Sequence, residues 1–476
     1  MATNPFQQLD VIRNASQNGK TITDCYRLMY KKELWMEAHA QLYPNGRNPT
    51  NKNEKIKNNF RLQKMNEWIE QLKGGVFRFD PIRRVSKANG KANLLENTDF
   101  KDKIVQEVMR MVLESIYEPV FSNHSHGWRE QKNCHTALSQ IKNTWRGFTW
   151  CIKGDLNTSP VHFNPSELLN LLSKKIDDHR FLLLMHNALS SGVLEERAYH
   201  HTYSDKSKKG EFSSLLANIY LHEFDLFMEQ HMKGGFIETI VPLKLNLNVP
   251  LSCPSKTNSD SRMNYVRFED EFLIGLAGSK DNALKIKKMV KRFLNQKLHL
   301  ELNEEKIHIT HLQNPIPFLG YECCRQEEKS RRVSLNSHSM KQRTHLEAIL
   351  LRIPKKKMRE FVRLNGYGHL DNFKIMHRAN LVNHTESEIL STYNAELRKM
   401  ANYYKLASNY HHLERVFHLA ESSFLKTIAH KRKSTSMKVA SNMRVPKQGV
   451  LSIVTKDKSG NEKLHHFLKL KDLPNG

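Results

Sequence analysis

The residues whose chemistry is easiest to interpret are carboxylates at the ends of two short apolar segments. Asp270 and Glu271 lie at the centre of Tyr265–Gly275, and Asp155 ends the segment Trp150–Asp155. Carboxylate oxygens are ligands that Mg²⁺ prefers, and two-metal phosphoryl transfer places one ion at the attacking oxygen and one at the leaving oxygen. If the two segments lie side by side, these three carboxylates are candidate catalytic and metal-binding residues.

Short strands must position these carboxylates. Apolar residues on both sides of an acidic turn predict a hairpin over Tyr265–Gly275, and Trp150–Asp155 predicts another strand. Alternating leucines over 298–302 and isoleucines over 307–309 predict two further strands after a helix over 286–294.

Helical periodicity dominates both ends of the chain. Apolar residues recur at four-residue steps over 24–42, and the same spacing predicts amphipathic helices over 389–404 and 413–428. We therefore expect a helical N-terminal extension at 1–75 and a mixed region at 76–330 with a loop-rich insertion at 231–264. A helical basic region at 331–443 and a short strand-bearing tail at 444–476 follow.

The charge of the chain is uneven. The whole chain has 75 Lys and Arg against 49 Asp and Glu, a net charge of +26, and residues 331–476 hold 28 of the basic and 11 of the acidic residues. A basic block of this density favours a polyanionic partner. Nucleic acid fits better than a membrane surface because the sequence has no lipid-anchor motif and no apolar run of about 18 residues.

Cysteine and histidine spacing argues against zinc. The six cysteines form no CxxC pair, and no cysteine follows Met443. The doublets His200-His201, His411-His412 and His465-His466 lack further ligands at metal-binding spacing. We expect no zinc site and no disulfide framework.

Several segments, in order along the chain, resemble group II intron reverse transcriptases. The resemblance runs from about Lys31 to Met443 and is concentrated in Leu113–Leu138, Ser213–Asp225, Tyr265–Gly275, Phe318–Tyr321 and Ile389–Lys433. It implies an α+β fold: the fingers and palm of a right-hand polymerase, followed by an all-helical thumb, the maturase or X domain. Members of this family help their host intron to fold and splice, and copy it into DNA.

The polymerase motifs of this family are altered here. Phe268-Glu269-Asp270-Glu271 stands where the family has Tyr-Ala-Asp-Asp, and Ser207–Gly210 where it has Pro-Gln-Gly-Gly. Asn93–Thr98 replaces Arg-Pro-Leu-Gly-Ile-Pro, whose arginine binds the triphosphate, and Pro160 replaces the aromatic residue that selects the sugar. Gly127–Glu130 replaces Gly-Phe-Arg-Pro. Because these changes affect metal, triphosphate, base-pair and sugar contacts together, we expect that reverse transcription is lost.

The thumb-like region, in contrast, keeps its apolar stripes and its cations. The resemblance implies that this region grips intron RNA, so its basic side chains are the candidate RNA-binding residues. They are Lys355, Lys356, Lys357, Arg359, Arg398, Lys399, Lys426, Lys431, Arg432, Lys433 and Lys438. Tyr403, Tyr404 and Tyr410 lie among them and could either stack on bases or pack in the core.

Two functions remain open. In the first, the protein is a maturase without a cofactor that binds group II or shortened, group III-type intron RNA and assists its splicing. In the second, it is a divergent RNA-directed DNA polymerase with Mg²⁺ at Asp155, Asp270 and Glu271. We expect neither an endonuclease module nor an import signal, a combination that resembles maturase-like proteins encoded in plastids, those of euglenoids above all; a bacterial or mitochondrial origin is the alternative.

Overall fold

The computed structural model of the chain describes residues 4–43, 52–80, 100–156, 163–191, 211–233, 262–302, 304–325, 348–444, 450–456 and 462–473. The chain divides into two compact units. The first unit comprises Met1–Ala137 and Trp150–Ile309, and the second comprises Leu138–Thr149 and Thr310–Gly476.

Helices make up most of the described residues. They are α1 (Pro5–Gln17), α2 (Cys25–Leu28), α3 (Lys32–Leu42), α4 (Lys52–Lys73), α5 (Phe100–Tyr117), α6 (Cys134–Thr144), α7 (Pro165–Ser173), α8 (His179–Ser190), α9 (Glu211–Lys233), α10 (Lys280–Leu298), α11 (Lys355–Leu364), α12 (Glu386–Tyr403), α13 (Leu413–Lys431) and α14 (Ser436–Met443). No described helix is both long and apolar enough to cross a membrane.

The strands are short and mostly antiparallel. They are β1 (Trp150–Asp155), β2 (Met263–Phe268), β3 (Glu271–Leu276), β4 (Ile307–His311), β5 (Ile316–Phe318), β6 (Tyr321–Arg325), β7 (Ile349–Arg352), β8 (Gly368–His369), β9 (Lys374–Ile375), β10 (Ser452–Lys456) and β11 (Glu462–His466). The sheet orders are β2-β3-β1-β4, β5-β6-β7, β8-β9 and β10-β11.

Side-chain caps explain where several helices begin. Asn4 caps α1, Asn164 caps α7 and Asp178 caps α8, each by accepting backbone N–H groups of the first turn. At α12, Thr385 and Glu388 form a reciprocal capping box. Such caps satisfy N–H groups that have no partner within the helix.

The core of the first unit is built around α5. Ile104, Val105, Val108, Met109 and Val112 are fully buried on this helix, which packs against α1, α3 and α9. A helix buried on so many sides needs apolar residues around most of its circumference. The sheet β2-β3-β1 packs on α9 and α10 and presents its strand ends at one edge.

The two amphipathic helices predicted over 389–404 and 413–428 are present in the second unit as α12 and α13. Tyr393 of α12 and Phe424 of α13 pack edge to face at 5.6 Å between ring centroids, and Phe467 of the tail lies 5.3 Å from Phe424. The amide of Asn394 donates to the carbonyl of His466 at 2.8 Å. The tail is therefore packed on the helices of this unit.

Several boundaries differ from the sequence expectations. By packing, the chain divides at 309/310, because β5 and β6 form one sheet with β7, whereas the sequence pattern placed the change of region at 330/331. That sheet and the pair β8-β9 add short strands to the otherwise helical thumb-like region. At the ends of the expected insertion, 231–264, α9 continues to Lys233 and β2 begins at Met263; residues 234–261 lie outside the described ones.

Two periodicity predictions were wrong in part. Leu298, Leu300 and Leu302 do not form a strand: Leu298 ends α10, His299 adopts a left-handed φ of 50°, and the N–H of Leu300 returns to the carbonyl of Leu294. The helical spacing over 24–42 is split into α2 and α3, because Lys31 between them is extended.

Candidate functional site

The three predicted carboxylates lie together at one edge of the first unit's sheet. β2 and β3 form the predicted hairpin, and β1 pairs with β3 so that Asp155 lies opposite Glu271. The N–H of Leu156 donates to the carbonyl of Asp270 at 3.0 Å, which joins the end of β1 to the turn. The sequence therefore predicted this juxtaposition correctly.

A buried ion pair holds the hairpin in place. Arg267 of β2 and Asp225 of α9 are both fully buried, with a bidentate contact at 2.7 and 2.8 Å. All five N–H bonds of the guanidinium have acceptors, the others being Asn218, Ser125 and the carbonyl of Glu269. A buried arginine is tolerated when its charge and all its donors are satisfied in this way.

Two glycines let the backbone approach the acidic turn. A Cβ atom at Gly127 would lie 2.2 Å from the backbone nitrogen of Glu269, and one at Gly154 would lie 2.1 Å from the ring of Phe272. Neither distance is possible for a real side chain, so both positions require glycine. The shape of the hairpin is thus fixed from three sides, by α9, by the loop at Gly127 and by β1.

A lysine contacts one of these carboxylates. The Nζ of Lys153 lies 3.6 Å from a carboxylate oxygen of Glu271. Among the residues that the structure describes, no group of three or more His, Cys, Asp or Glu side chains is arranged to hold a metal ion. The lysine thus places a positive charge beside one of the three predicted metal ligands.

Most of the other altered polymerase motifs lie outside the residues that the structure describes. Residues 93–98, 160 and 207–210 lie outside the described residues. Within Gly127–Glu130, Arg129 donates to the carboxylate of Glu118 and to the carbonyls of Ser122 and Ser125. This arginine fixes the loop that precedes α6.

The structure divides the predicted RNA-binding cations of the second unit into two groups. The first group is bonded within the protein. Its members are Lys357 to Glu360, Arg359 to Asp371, Lys426 to the carbonyl of Ile375, Lys431 to the carbonyl of Val382, and Arg432 to Glu386.

Arg432 shows what these internal bonds do. Its guanidinium donates twice to the carboxylate of Glu386, at 2.6 and 2.7 Å, and these bonds raise the pKa of the arginine. They tie the end of α13 to the beginning of α12. An arginine held in this geometry has fewer donors left for a phosphate.

The second group consists of six exposed cations whose side-chain nitrogens have no hydrogen bond or ion pair to any residue that the structure describes. We call them the free cations: Lys355, Lys356, Arg398, Lys399, Lys433 and Lys438. Because no described carboxylate neutralises them, they are the side chains best suited to contact phosphates.

The tyrosines among the cations differ in burial. Tyr404 is fully buried, and its hydroxyl donates to the carbonyl of Gly320 at 3.2 Å. Tyr403 is half-buried, and its hydroxyl donates to the carbonyl of Leu319 at 2.9 Å. Tyr410 is half-buried, and burial raises its pKa. Core packing is therefore the correct alternative for Tyr404.

Sequence reasoning missed the buried ion pair. A signal was present: Arg267 interrupts an apolar strand, and Asp225 lies on an otherwise apolar face of a helix. Two opposite charges at positions that periodicity assigns to the core indicate a buried pair.

Comparison with known proteins identifies both regions. The reverse transcriptase (RNA-dependent DNA polymerase) family model matches residues 85–323, and the type II intron maturase model matches residues 348–470. All six free cations lie in the second match. The fold is thus a reverse transcriptase region followed by a mainly helical maturase region.

Individual proteins similar to this chain include intron-encoded proteins and an intron maturase. The chain is 35% identical over 476 residues to the group II intron-encoded protein LtrA of Lactococcus lactis subsp. cremoris, covering 90% of this chain and 78% of the relative. It is 28% identical over 429 residues to an uncharacterized 91 kDa protein in a cob intron of Schizosaccharomyces pombe, covering 83% and 52%. It is 27% identical over 293 residues to a protein of Arabidopsis thaliana named "nuclear intron maturase 1, mitochondrial", covering 48% of this chain and 41% of the relative.

Proposed function

Since the chain belongs to the family of group II intron-encoded proteins, we propose that it is an intron maturase, which binds group II or group III-type intron RNA and assists its folding and splicing. The observation that supports this proposal is the group of six free cations within the maturase region. Cations without internal partners can neutralise phosphates and release counterions, which is the main source of sequence-independent affinity.

Such a protein needs no chemistry of its own. In our proposal the intron RNA is the catalyst, and the protein favours the active RNA fold by binding it more tightly than misfolded forms. The strength of this effect equals the difference in binding free energy between the two forms, so it depends on salt as the phosphate contacts do.

We also propose that reverse transcription is lost. The ion pair between Lys153 and Glu271 supports this, together with the altered motifs in the sequence. The second candidate, an active polymerase, is favoured by one observation: Asp155 and Glu271 still lie opposite each other beside Asp270.

A splicing assay and a primer-extension assay test the two parts separately. The first measures splicing of a group II intron precursor at limiting Mg²⁺ with and without the protein; a protein that neither binds nor accelerates splicing of precursors from its own genome would contradict the maturase proposal. The second compares the wild type with Asp270→Ala on a primed RNA template. Extension by the wild type that disappears in Asp270→Ala would establish the polymerase instead.

Among the relatives, LtrA comes from a bacterium, and the Arabidopsis intron maturase is mitochondrial by its name. A plastid location for this chain is a further proposal. It rests on the altered polymerase motifs in the sequence, and mapping the coding sequence to plastid, mitochondrial or bacterial DNA decides it.

A further inference from the structure

An open groove in the second unit is lined by basic and imidazole side chains. Its volume is about 850 Å³, and it lies between the end of β7, the beginning of α11 and the segment 408–412. The lining residues that matter for charge are Glu322, Arg352, Lys355, Lys356, His411 and His412.

The walls of this groove are fixed by hydrogen bonds. The side chain of Asn409 accepts from the N–H of Ile353 at 2.8 Å and donates to its carbonyl at 3.3 Å. Next to it, both the N–H and the hydroxyl of Ser408 donate to the carbonyl of Leu351. The segment that bears the two histidines is therefore attached to the end of β7, and the groove is formed before any ligand arrives.

The groove is positively charged even with neutral histidines. Arg352, Lys355 and Lys356 form no ion pair with any described residue, and Glu322 is the one carboxylate among the described lining residues. In addition, Lys355 and Lys356 of the first turn of α11 line the groove. Phosphate oxygens would satisfy these cations.

One of the two histidines, His412, adds a titratable charge. The two rings lie edge to face with centroids 4.5 Å apart. Partial burial lowers the pKa of His412, and the neighbouring His411, Lys355 and Arg415 lower it further. Arg352 and Lys356 oppose protonation as well, and Glu322 alone among the groove's charges favours it. In the free protein this histidine therefore gives up its proton more readily than usual.

We propose that this groove binds the phosphodiester backbone of a single-stranded RNA segment and that His412 takes up a proton when the RNA binds. The inference rests on the proposed function and names one part of the RNA-binding surface. The groove's volume suits about one or two nucleotides and is too small for a duplex, and imidazole rings can also stack on unpaired bases.

Proton uptake follows from charge complementarity. Besides burial, neighbouring cations lower the pKa of His412, and a phosphate between the cations and the imidazoles would offset their repulsion, so bound RNA raises the pKa of that ring. Linkage then requires tighter RNA binding as the pH falls. A pKa rise of one unit in one ring increases affinity tenfold across the titration, so we expect about a threefold to tenfold gain between about pH 8 and pH 6.

Fluorescence anisotropy with a labelled mixed-sequence single-stranded RNA of about 20 nucleotides tests the groove, with the full chain at matched salt. The double variant His411→Gln/His412→Gln should lose the gain at low pH and bind like the wild type at high pH. Arg352→Gln should weaken binding at both pH values and reduce the salt slope by about 0.7, the value for one phosphate contact to a single strand.

Two matched variants separate this inference from the proposed function. His384→Gln removes an exposed histidine of the same unit outside the groove and should keep the pH dependence. Lys438→Gln removes a free cation outside the groove and should weaken binding without changing the pH dependence. Circular dichroism confirms that each variant folds.

The results of these experiments separate an error in the groove assignment from an error in the maturase proposal. If the wild type binds RNA with a steep salt dependence but the groove variants behave like the wild type, the groove is the wrong site and the maturase proposal stands. If the wild type binds no RNA, the maturase proposal itself fails. A pH dependence that persists in the double histidine variant, or binding of an acidic peptide in preference to RNA, overturns the groove assignment.

Discussion

The acidic edge of the first unit and the basic surface of the second unit use charge in opposite ways. At the acidic edge, the best-organised charges are buried: Arg267 and Asp225 satisfy each other and hold the hairpin, while Glu271 faces Lys153. On the basic surface, the internally bonded cations sit beside six free ones. Preserved geometry is therefore weak evidence of preserved chemistry, because a buried network maintains the hairpin whether or not its turn still takes part in a reaction.

The largest expected effect comes from breaking the buried pair. Asp225→Ala leaves the charge of Arg267 buried without a counter-ion, and the hydroxyl of Tyr265 loses its acceptor as well. Removing one partner of a buried pair typically costs about 3–5 kcal/mol. We expect the urea midpoint to fall accordingly, measured by circular dichroism.

The double variant Asp225→Leu/Arg267→Met is the control for this prediction. It removes both charges together, and a well-packed apolar replacement is often neutral or stabilising. It should therefore be clearly more stable than Asp225→Ala. Equal destabilisation of the two variants would mean that shape, and not the unpaired charge, determines the cost.

The second effect concerns RNA affinity. Lys355→Gln/Lys356→Gln removes two free cations whose side chains have no bond to the described part of the chain, so the fold should be unchanged. Loss of two charged contacts should reduce RNA affinity about tenfold to a hundredfold at low salt. The salt slope should decrease by about 1.4, as expected for two contacts to a single strand.

Arg432→Gln is the matched control on the same unit. It removes a cation that is bonded to Glu386, so we expect up to about 1 kcal/mol of lost stability, since the pair is partly exposed. RNA affinity should change little. If Arg432→Gln weakens binding as much as the lysine pair does, internal bonding is not what separates the two groups.

The third prediction concerns Lys433, whose replacement by glycine should raise stability but weaken RNA binding. Lys433 has a φ of 50° just after α13, and the N–H of Ser434 returns to the carbonyl of Ala429 at 2.8 Å, as in a Schellman motif. Glycine fits this position without strain, although it also increases the entropy of the unfolded chain. Lys433→Gly should raise stability by up to about 1 kcal/mol and weaken RNA binding severalfold.

Thermal unfolding and RNA titration on the same preparation test Lys433→Gly. A variant that is more stable and binds less tightly would show that this cation was retained in spite of its strain. Unchanged RNA binding would remove Lys433 from the free cations that contact RNA.

The sequence predicted the elements with strong local patterns. The hairpin around Asp270 and the helices α12 and α13 have apolar residues at clear periods, and these elements formed as expected. The prediction of a strand over Leu298–Leu302 was wrong, because three alternating leucines also occur where a helix ends and the chain continues in an extended conformation.

What the sequence could not reveal was the pairing of charges distant in the chain. Arg432 and Lys355 are equally basic in the sequence, yet the first is bonded to Glu386, 46 residues earlier, and the second has no partner among the described residues. Likewise the partner of Arg267 lies 42 residues away on another element. Such pairs depend on tertiary packing, for which local periodicity contains no information.

The smallest expected effect is at the acidic edge itself. Asp155→Asn with Asp270→Asn keeps the size and the hydrogen-bonding shape of both side chains while removing their charge. If this edge is only scaffold, RNA binding and splicing should stay within about twofold of the wild type, and loss of two half-buried negative charges near RNA would act toward slightly tighter binding. The measurements are splicing at limiting Mg²⁺ and RNA titration, with unfolding curves to confirm that the hairpin survives. A loss of splicing in this double variant, with folding and RNA binding intact, would show that the carboxylates still act in the reaction and that the contrast between the two regions is wrong.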